Sequence, residues 1–215
     1  MPTAMTFTSL QQDLQRYLER GTVLDTTVFA QLPRLINLAE RAIAEKLKIQ
    51  GFLVPVIGGL VAGTSVYAKP NRWRQTVSMN FGMGVNNNKR VQLFARSYEY
   101  CRSYWPDSAE KDVPQFYADY DYQHWLIVPT PVAVYPWEIN YYQLPPLLDN
   151  TNQTNWLTNY APNLLLYRAL LECTPFVKND ERMGVWQGLY QEQLDSIDTQ
   201  DLQKVADRDA VRRTA

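Results

Sequence analysis

The single histidine of this 215-residue chain, His124, limits the chemistry that the chain can perform. A Ser-His-Asp triad, a Cys-His dyad or a histidine-ligated zinc site would each have to include it. His124 opens the run His-Trp-Leu-Ile-Val, which has the composition of a β-strand, and polar residues are common at strand ends. We therefore predict a structural rather than a catalytic role for His124.

The glycine-rich stretches and one carboxylate pair lack the neighbours that their chemistry requires. Gly58, Gly59 and Gly63 are not followed by the Lys-Ser/Thr pair of a phosphate-binding loop. Asp119 and Asp121 form a pair that could serve glycoside hydrolysis, but they lie in a turn between predicted strands, where acidic residues are common for backbone reasons. We expect no enzyme activity.

The two cysteines, Cys101 and Cys173, lie in different segments and lack the spacing of metal ligands. This arrangement favours free thiols in a reducing compartment over a disulfide. We expect no metal site and no cofactor.

The overall charge of the chain is close to neutral, with 21 basic residues, 22 acidic residues and a net charge of −1. It has no basic surplus of the kind that grips nucleic acid by releasing counterions. A hydrophobic content of 46% is enough for one sizeable core, or for one core with a small satellite domain. The N-terminus lacks a signal-peptide pattern, and Pro55 and several glycines interrupt the longest nearly uncharged run, so neither secretion nor a membrane span is predicted.

The period of the apolar residues changes from helical spacing to alternation near residue 52 and back to helical spacing near residue 155. Thr8 and Gln11 form a candidate capping box for the first helix, and residues 98–104 predict a short helix within the alternating part. We expect an α+β fold, in which a helical bundle from the N- and C-terminal segments carries an inserted antiparallel β domain and an extended C-terminal tail. The predicted boundaries are 1–50 for the N-terminal helices, 51–150 for the β domain, 151–198 for the C-terminal helices and 199–215 for the tail.

The C-terminal part of the chain predicts two helices. Pro162 suits the first turn of a helix, and the leucine-rich run that follows covers most of the helix circumference, which indicates a central, buried position. Asn179 is the predicted N-cap of the last helix, in which Gly184 and Gly188 lie one turn apart. Each glycine lowers helix stability by up to about 1 kcal/mol, so either another backbone approaches closely, as at an interface, or the two glycines are merely tolerated.

Aromatic residues are concentrated between Tyr98 and Tyr142. On the predicted strand 134–142, Trp137, Tyr141 and Tyr142 place aromatic rings on both faces, which is more than an isolated sheet needs. We predict that one of these faces meets another protein, although a sugar-binding surface would use the same residue types.

Several sequence blocks follow one another in an order that resembles the adaptor, or head-to-tail connector, proteins of tailed bacteriophages. The resemblance covers about residues 25–197. The C-terminal blocks are Asn-Trp-Leu at 155–157, Pro-Asn-Leu-Leu-Leu-Tyr at 162–167 and Asn-Asp-Glu-Arg at 179–182. They are preceded by Leu-Ile-Asn-Leu-Ala-Glu-Arg-Ala-Ile at 35–43 and Pro-Thr-Pro at 129–131.

This resemblance implies a structural virion protein that joins the phage portal to tail or nozzle proteins. Family members form a ring of twelve copies in the neck of the virion, after assembly in the host cytoplasm and without a membrane. Genomic DNA passes through the ring without sequence-specific binding, and a near-neutral lining suits such a channel. We expect the polar tail to order on the portal, which its basic residues would contact: Lys204, Arg208, Arg212 and Arg213. The alternative is a virion-associated peptidoglycan hydrolase or glycan-binding module that uses the aromatic residues and a carboxylate pair.

Overall fold

The protein is α+β and divides into two compact units. The computed structural model describes residues 4–20, 25–48, 50–84, 86, 89–177 and 181–213, with the backbone alone described at residue 50 and over 201–213. Residues 53–143 form one unit, called the β unit, and residues 1–52 and 144–215 together form the other, called the helical unit. None of the helices in the described ranges combines the length and the apolar composition that a membrane span requires.

The helical unit contains helices from both ends of the chain. The N-terminal segment supplies α1 (Phe7–Leu18), α2 (Thr26–Phe29) and α3 (Leu32–Lys46), followed by a short 3-10 turn at Gln50–Phe52. The C-terminal segment supplies α5 (Trp156–Tyr160), α6 (Pro162–Val177) and α7 (Met183–Arg213), whereas α4 lies in the β unit.

Helix α6 lies at the centre of the helical unit, where it packs against α1, α3, α5 and α7. It begins at Pro162, in the first turn, where the missing N–H has no partner to lose. Its buried residues are Leu164, Leu165, Leu166, Ala169, Leu170, Cys173 and Thr174. Burying each leucine contributes about 1.5–3 kcal/mol. The prediction of a buried helix that opens at Pro162 is therefore confirmed.

A buried carboxylate joins the two chain segments of the helical unit. Glu40 on α3 is 0% exposed, and its carboxylate accepts hydrogen bonds from the backbone N–H of Leu148 (3.1 Å) and from the side-chain amide of Asn155. The Asn155 Oδ1 in turn accepts from the backbone N–H groups of Leu157 and Thr158, and so caps α5. Burial raises the pKa of Glu40 to about 7, although both hydrogen bonds and the charge of Arg41 act to lower it.

The first helix begins at a different capping box from the predicted one. Thr6 is the N-cap of α1: its Oγ1 accepts from the Ser9 backbone N–H (3.1 Å), and the Ser9 Oγ accepts from the Thr6 backbone N–H (2.8 Å). Thr8 instead donates its backbone N–H and its hydroxyl to the side chain of Gln153. The prediction of a box at Thr8 and Gln11 is wrong because a serine takes the place that Glu or Gln usually occupies in this motif.

Helix α7 is longer than predicted. It runs without interruption from Met183 to Arg213, so the predictions of a helix end near residue 198 and of an extended tail are wrong for residues 199–213. No glycine or proline occurs after Gly188, and the polar residues of this stretch are compatible with a helix. The predicted N-cap, Asn179, lies outside the described residues. Trp186 and Tyr190 are buried, whereas none of residues 191–200 is.

The β unit consists mainly of short strands. In chain order they are β1 (Leu53–Leu60), β2 (Val66–Ala68), β3 (Trp73–Met83), β4 (Lys89–Ala95), β5 (Lys111–Asp112), β6 (Phe116–Asp119), β7 (His124–Val128), β8 (Thr130–Pro131) and β9 (Tyr135–Gln143). Seven of them form one sheet in the order β1-β9-β3-β4-β6-β7-β2, and β5 pairs with β8. The strands that open and close the unit are neighbours, with Leu53 opposite Tyr142.

The main sheet is antiparallel, as predicted, except that β4 and β6 run parallel. A parallel pair needs a crossover connection, and α4 (Tyr98–Tyr104), the short helix that the sequence predicts, lies in this connection. Alternate residues of the long strands point inward. The core contains Met79 and Phe81 from β3, Trp137 and Ile139 from β9, and Trp125 from β7.

Replacing Leu165 by alanine is expected to lower the free energy of unfolding by about 2–5 kcal/mol, because the side chain is 0% exposed on the central helix. Denaturant unfolding followed by far-ultraviolet circular dichroism measures the change. The matched control is Asn163→Ala on the exposed side of the same helix, which should change stability by less than about 0.5 kcal/mol. Equal effects of the two substitutions would contradict the central position of α6.

The contribution of Glu40 to stability is expected to fall as the pH rises. Its pKa is about 7 in the folded chain against an ordinary value of 4.5, so between these values the folded state holds a proton that the unfolded state has released. The stabilising effect is fully present below pH 4.5 and is lost above pH 7. Between these limits, the free energy of unfolding of Glu40→Gln should gain on that of the parent by up to about 3 kcal/mol.

The slope against pH is the informative quantity, because Glu40→Gln replaces one acceptor oxygen by an NH2 group and so loses one of the two hydrogen bonds at every pH. Urea unfolding at pH 4.5, 6 and 8 measures this slope for the parent and the variant. Glu192→Gln, which removes an exposed carboxylate from α7, is the control and should keep the parent's slope. A Glu40→Gln slope equal to that of the parent would refute the assignment.

Candidate interaction surface

Exposed aromatic side chains of the β unit cluster around α4 and the turn between β6 and β7. Phe94, Tyr98, Tyr104 and Tyr120 are 54%, 39%, 64% and 45% exposed, and we call these four residues the aromatic surface. Single exposed apolar residues are ordinary on a protein, but a group of exposed rings marks a candidate interaction site.

The position of α4 follows from its cap and from one buried residue. The Ser97 Oγ accepts a hydrogen bond from the Tyr100 backbone N–H (3.2 Å) and so caps the helix. Cys101 is fully buried and packs with Ala118 and Leu126 beneath the helix. Burial raises the pKa of the Cys101 thiol, which therefore stays protonated at neutral pH. Cys101 acts as a small apolar anchor, and the tyrosines around it remain at the surface.

Contacts between rings hold the aromatic surface in place. The centroids of Tyr98 and Tyr120 are 5.8 Å apart, so α4 and the turn after β6 are in contact. Tyr104 lies 4.7 Å from Tyr100 and 6.0 Å from Trp105. Aromatic pairs of this kind contribute about 0.5–1.5 kcal/mol each beyond the burial of their area. Tyr98, Tyr104 and Tyr120 therefore have restricted positions before any partner binds.

Two arginines lie over rings that belong to the aromatic surface or neighbour it. The guanidinium of Arg96 is 5.6 Å from the centroid of Tyr100 and 5.4 Å from that of Phe116, and the guanidinium of Arg102 is 5.6 Å from Tyr98. Tyrosine, tryptophan and arginine are the residue types that supply most of the binding energy at protein interfaces. The chemistry of the aromatic surface therefore suits a protein partner.

The turn that carries Tyr120 also forms one wall of a pocket of about 290 Å³. The other walls come from the end of β2, the start of β3 and the first residue of β7, so that the lining is residues 68–73 and 122–124. Its two aromatic side chains are Trp73 and Tyr122, and the latter is 75% exposed. The aromatic surface and this pocket are therefore built on the same turn.

The structure places two of the predicted interface residues in the core of the β unit. Trp137 and Tyr141 are 9% and 3% exposed and lie on the inner face of β9, together with Ile139. They are packing residues, which corrects the prediction that they meet another protein. Tyr142 lies on the opposite face of the strand and is half-buried, and its contact with a partner stays a prediction.

The predicted contact at the glycines of α7 does not occur within the described part of the chain. Apart from its sequence neighbours and the backbone of α7 itself, a Cβ built on Gly184 or Gly188 would meet none of the described atoms within 4 Å. Contact of these glycines with another subunit stays a prediction. Portal docking also stays a prediction, because the side chains of the residues concerned lie outside the described part: Lys204, Arg208, Arg212 and Arg213.

Each of the residues with catalytic potential, His124, Asp119 and Asp121, makes a polar contact with another side chain. The Nδ1 of His124 lies 3.0 and 2.9 Å from the two carboxylate oxygens of Asp121, and Asp119 lies 2.7 Å from the Nζ of Lys69. The hydrogen bond with His124 holds the pKa of Asp121 below its usual value, whereas the general acid of a glycosidase needs a raised pKa. Among the described side chains, no group of three or more His, Cys, Asp or Glu is placed to hold a metal.

Sequence reasoning missed the aromatic surface, although a signal for it was present. Three of the seven residues of the predicted helix 98–104 are tyrosines, and they lie at positions 98, 100 and 104. At 100° per residue, positions 98 and 100 face directions about 200° apart, so both rings cannot enter one core. The pattern of tyrosines on a short helix therefore indicates exposed rings.

A family model described as SU10 adaptor protein matches residues 5–214, which is nearly the whole chain. A search of the curated proteins found no match. The family match includes the segments of both the helical unit and the β unit, and it confirms the resemblance that the order of the sequence blocks indicates. The chain belongs to the SU10 adaptor protein family of bacteriophage adaptors.

Proposed function

We propose that this protein forms a ring in the virion neck, which joins the portal to the tail and forms part of the DNA channel. The family match supports a structural adaptor role. The observation that carries the finer proposal is the form of α7, which has 31 residues and a length of about 46 Å. Of the α7 side chains that the structure describes, Trp186 and Tyr190 are buried, whereas none of residues 191–200 is. A helix that continues beyond its own packing suits attachment to a partner.

The portal-docking segment therefore binds as a helix in this proposal. Lys204, Arg208 and Arg212 follow one another at intervals of four residues, which corresponds to one side of a helix. Such spacing suits a partner surface that carries acidic residues, because opposite charges across an interface favour encounter and fix the orientation. Because the backbone of this segment is already helical, binding costs less conformational entropy than the ordering of an extended tail would cost.

The aromatic surface is the proposed contact of the β unit with a neighbouring subunit or with the next tail protein. In a cyclic ring, one patch of each subunit contacts a different patch of the neighbouring subunit. The aromatic surface can therefore supply one of these two patches. Gly184 and Gly188 have no side chains, so the surface of α7 at these two positions allows another helix to approach closely. We propose that a helix of another subunit packs there. Both contacts lie on surfaces that the described chain leaves uncovered.

The near-neutral charge suits the proposed channel. With a net charge of −1, the subunit has no basic surplus for the many phosphate contacts that would retain DNA, which suits a genome that slides through during ejection. The alternative function, that of a peptidoglycan hydrolase, is not supported by the carboxylate pair. Asp119 contacts Lys69, and Asp121 contacts His124. Assembly in the host cytoplasm before incorporation into the neck completes the proposal.

Arg208→Gln combined with Arg212→Gln is expected to weaken binding to the purified portal at least tenfold, and to reduce its sensitivity to salt, because two charged contacts are lost. Surface plasmon resonance with immobilised portal at two salt concentrations measures both effects. The matched control is Lys89→Gln combined with Arg90→Gln, which removes the same charge from exposed positions on β4.

Deletion of residues 199–215 should leave the circular dichroism of the remaining helices intact and abolish binding. Unchanged binding of the deletion variant would refute portal docking by this segment.

The isolated protein is expected to be mainly monomeric at micromolar concentration and to form rings only on the portal, because docking raises the local concentration of subunits and makes weak lateral contacts sufficient. Sedimentation velocity with and without portal tests this expectation. Tyr104→Ser should reduce ring formation on the portal while leaving the fold intact, since Tyr104 is 64% exposed. Tyr17→Ser is the control, because Tyr17 is 42% exposed but belongs to α1 of the helical unit. A stable ring without portal would contradict templated assembly.

A further inference from the structure

The pocket beside the aromatic surface has fixed aromatic walls. Trp73 makes edge-to-face contacts with Tyr122, at a centroid distance of 6.1 Å, and with the buried Trp125, at 6.4 Å. The Trp73 Nε1–H donates to the Thr76 hydroxyl (3.1 Å). These contacts hold the Trp73 ring in one orientation, so the pocket exists before a ligand enters it. Its volume of about 290 Å³ is at the lower end for ligand pockets and suits one side chain or one small molecule.

Three basic side chains line the pocket. They are Lys69, Arg72 and His124, and the lining contains no aspartate or glutamate. Acidic groups nearby already engage two of the three. The side chain of Lys69 is 2% exposed and contacts the Asp119 carboxylate at 2.7 Å, and His124 contacts Asp121.

Arg72 is the cation of the pocket that lacks such a partner. It makes no hydrogen bond or ion pair with the described residues, whereas the ammonium of Lys69 also donates to the Asp121 carbonyl (2.9 Å) and lies 3.7 Å from the centroid of Trp73. A guanidinium presents its N–H groups in a planar fork that matches a carboxylate. Because Arg72 is exposed, its guanidinium is accessible at the pocket, and a carboxylate is the ligand group that fits it.

The backbone at Arg72 gives a second, independent indication. Its φ is +61°, in the left-handed region that glycine adopts freely and that other residues rarely adopt. Glycine would fit the turn between Pro70 and Trp73 with less strain, so the turn itself does not require an arginine. Strained residues of this kind cluster at binding sites, where the side chain has a use that offsets the strain.

We propose that this pocket binds a carboxylate of a partner polypeptide, with the Arg72 guanidinium as the charged contact and the rings of Trp73 and Tyr122 as walls for the aliphatic part of the side chain. A polypeptide is favoured because the turn that carries Tyr122 also carries Tyr120, so a bound chain can continue from the pocket onto the aromatic surface. This inference rests on the proposed function, since it names the chemistry of the segment that the aromatic surface meets.

A larger depression on the helical unit, of about 630 Å³, lacks these features. Its lining contains no aromatic side chain, and its one arginine, Arg16, lies 3.4 Å from Asp13, which also lines it. The combination of fixed rings with an uncompensated guanidinium therefore distinguishes the smaller pocket.

The test uses the full-length protein and three small probes: the peptide acetyl-Gly-Glu-Gly-amide, its glutamine counterpart, and D-glucuronate as a carboxylate from a sugar. Nuclear magnetic resonance follows the indole N–H of Trp73 during titration with each probe. We expect the glutamate peptide to shift this signal at millimolar concentration, and the glutamine peptide to leave it unchanged. Binding of glucuronate without binding of the glutamate peptide would overturn the proposal in favour of a sugar ligand.

Arg72→Gly is the decisive variant, because the left-handed backbone favours glycine and the variant should unfold at the same or a higher temperature than the parent. It is expected to weaken binding of the glutamate peptide at least tenfold. Arg74→Gln, which lies on β3 two residues after Arg72, is the control for the loss of one charge. It should keep the affinity for the glutamate peptide within twofold of that of the parent. Equal binding by Arg72→Gly and the parent, or no binding of the glutamate peptide to the parent, would overturn the proposal. Assembly of the same variants on the portal is scored separately, so that failure of the pocket and failure of the adaptor function are distinguished.

Discussion

The buried carboxylate of Glu40 is the interaction on which the helical unit depends. A carboxylate has no hydrogen atom to donate when ionised, so its two oxygens require donors, and the chain supplies the Leu148 backbone N–H and the Asn155 amide. Because the Asn155 nitrogen points to Glu40, its oxygen is available to cap α5. Helix α5 then leads through Ala161 to Pro162 and the buried helix α6. One acid on the N-terminal segment therefore sets the start of the C-terminal helices, which are far from it in sequence.

Much of the fold follows from local sequence pattern, because those elements depend on contacts that periodicity reports. Pro162 and the leucines behind it predict α6, and residues 98–104 predict α4 with its observed bounds. The box at Thr6 and Ser9 was missed because the serine hydroxyl replaces the longer acceptor of the usual motif. The extent of α7 was missed because a polar sequence without glycine or proline allows both a helix and a disordered tail.

The site was less predictable than the fold, because exposure depends on which strands are neighbours. Trp137 is buried because the inner face of β9 packs against rings from distant strands, Tyr67 at 5.0 Å and Trp125 at 6.0 Å between centroids, and Tyr141 lies on the same inner face. Tyr98 and Tyr104 remain at the surface because α4 connects a parallel pair and buries only its cysteine side. The pairing that decides these outcomes joins residues distant in sequence, such as Phe94 with Phe116 and Met79 with Ile139. Alternation along one strand identifies its two faces but does not show which of them is covered.

The adjacency of β1 and β9 has a consequence for how such proteins diversify. Leu53 and Tyr142 are directly opposite in an antiparallel ladder, so the chain enters and leaves the β unit at points about 5 Å apart. A segment whose two ends are so close can be exchanged for another, or for a short loop, without stretching the host chain. Recombination between related phages can therefore replace residues 53–143 as a cassette, while Glu40, Leu148 and Asn155 all lie in the part that stays. The β unit can then acquire a new binding surface while the sequence of the helical unit stays the same.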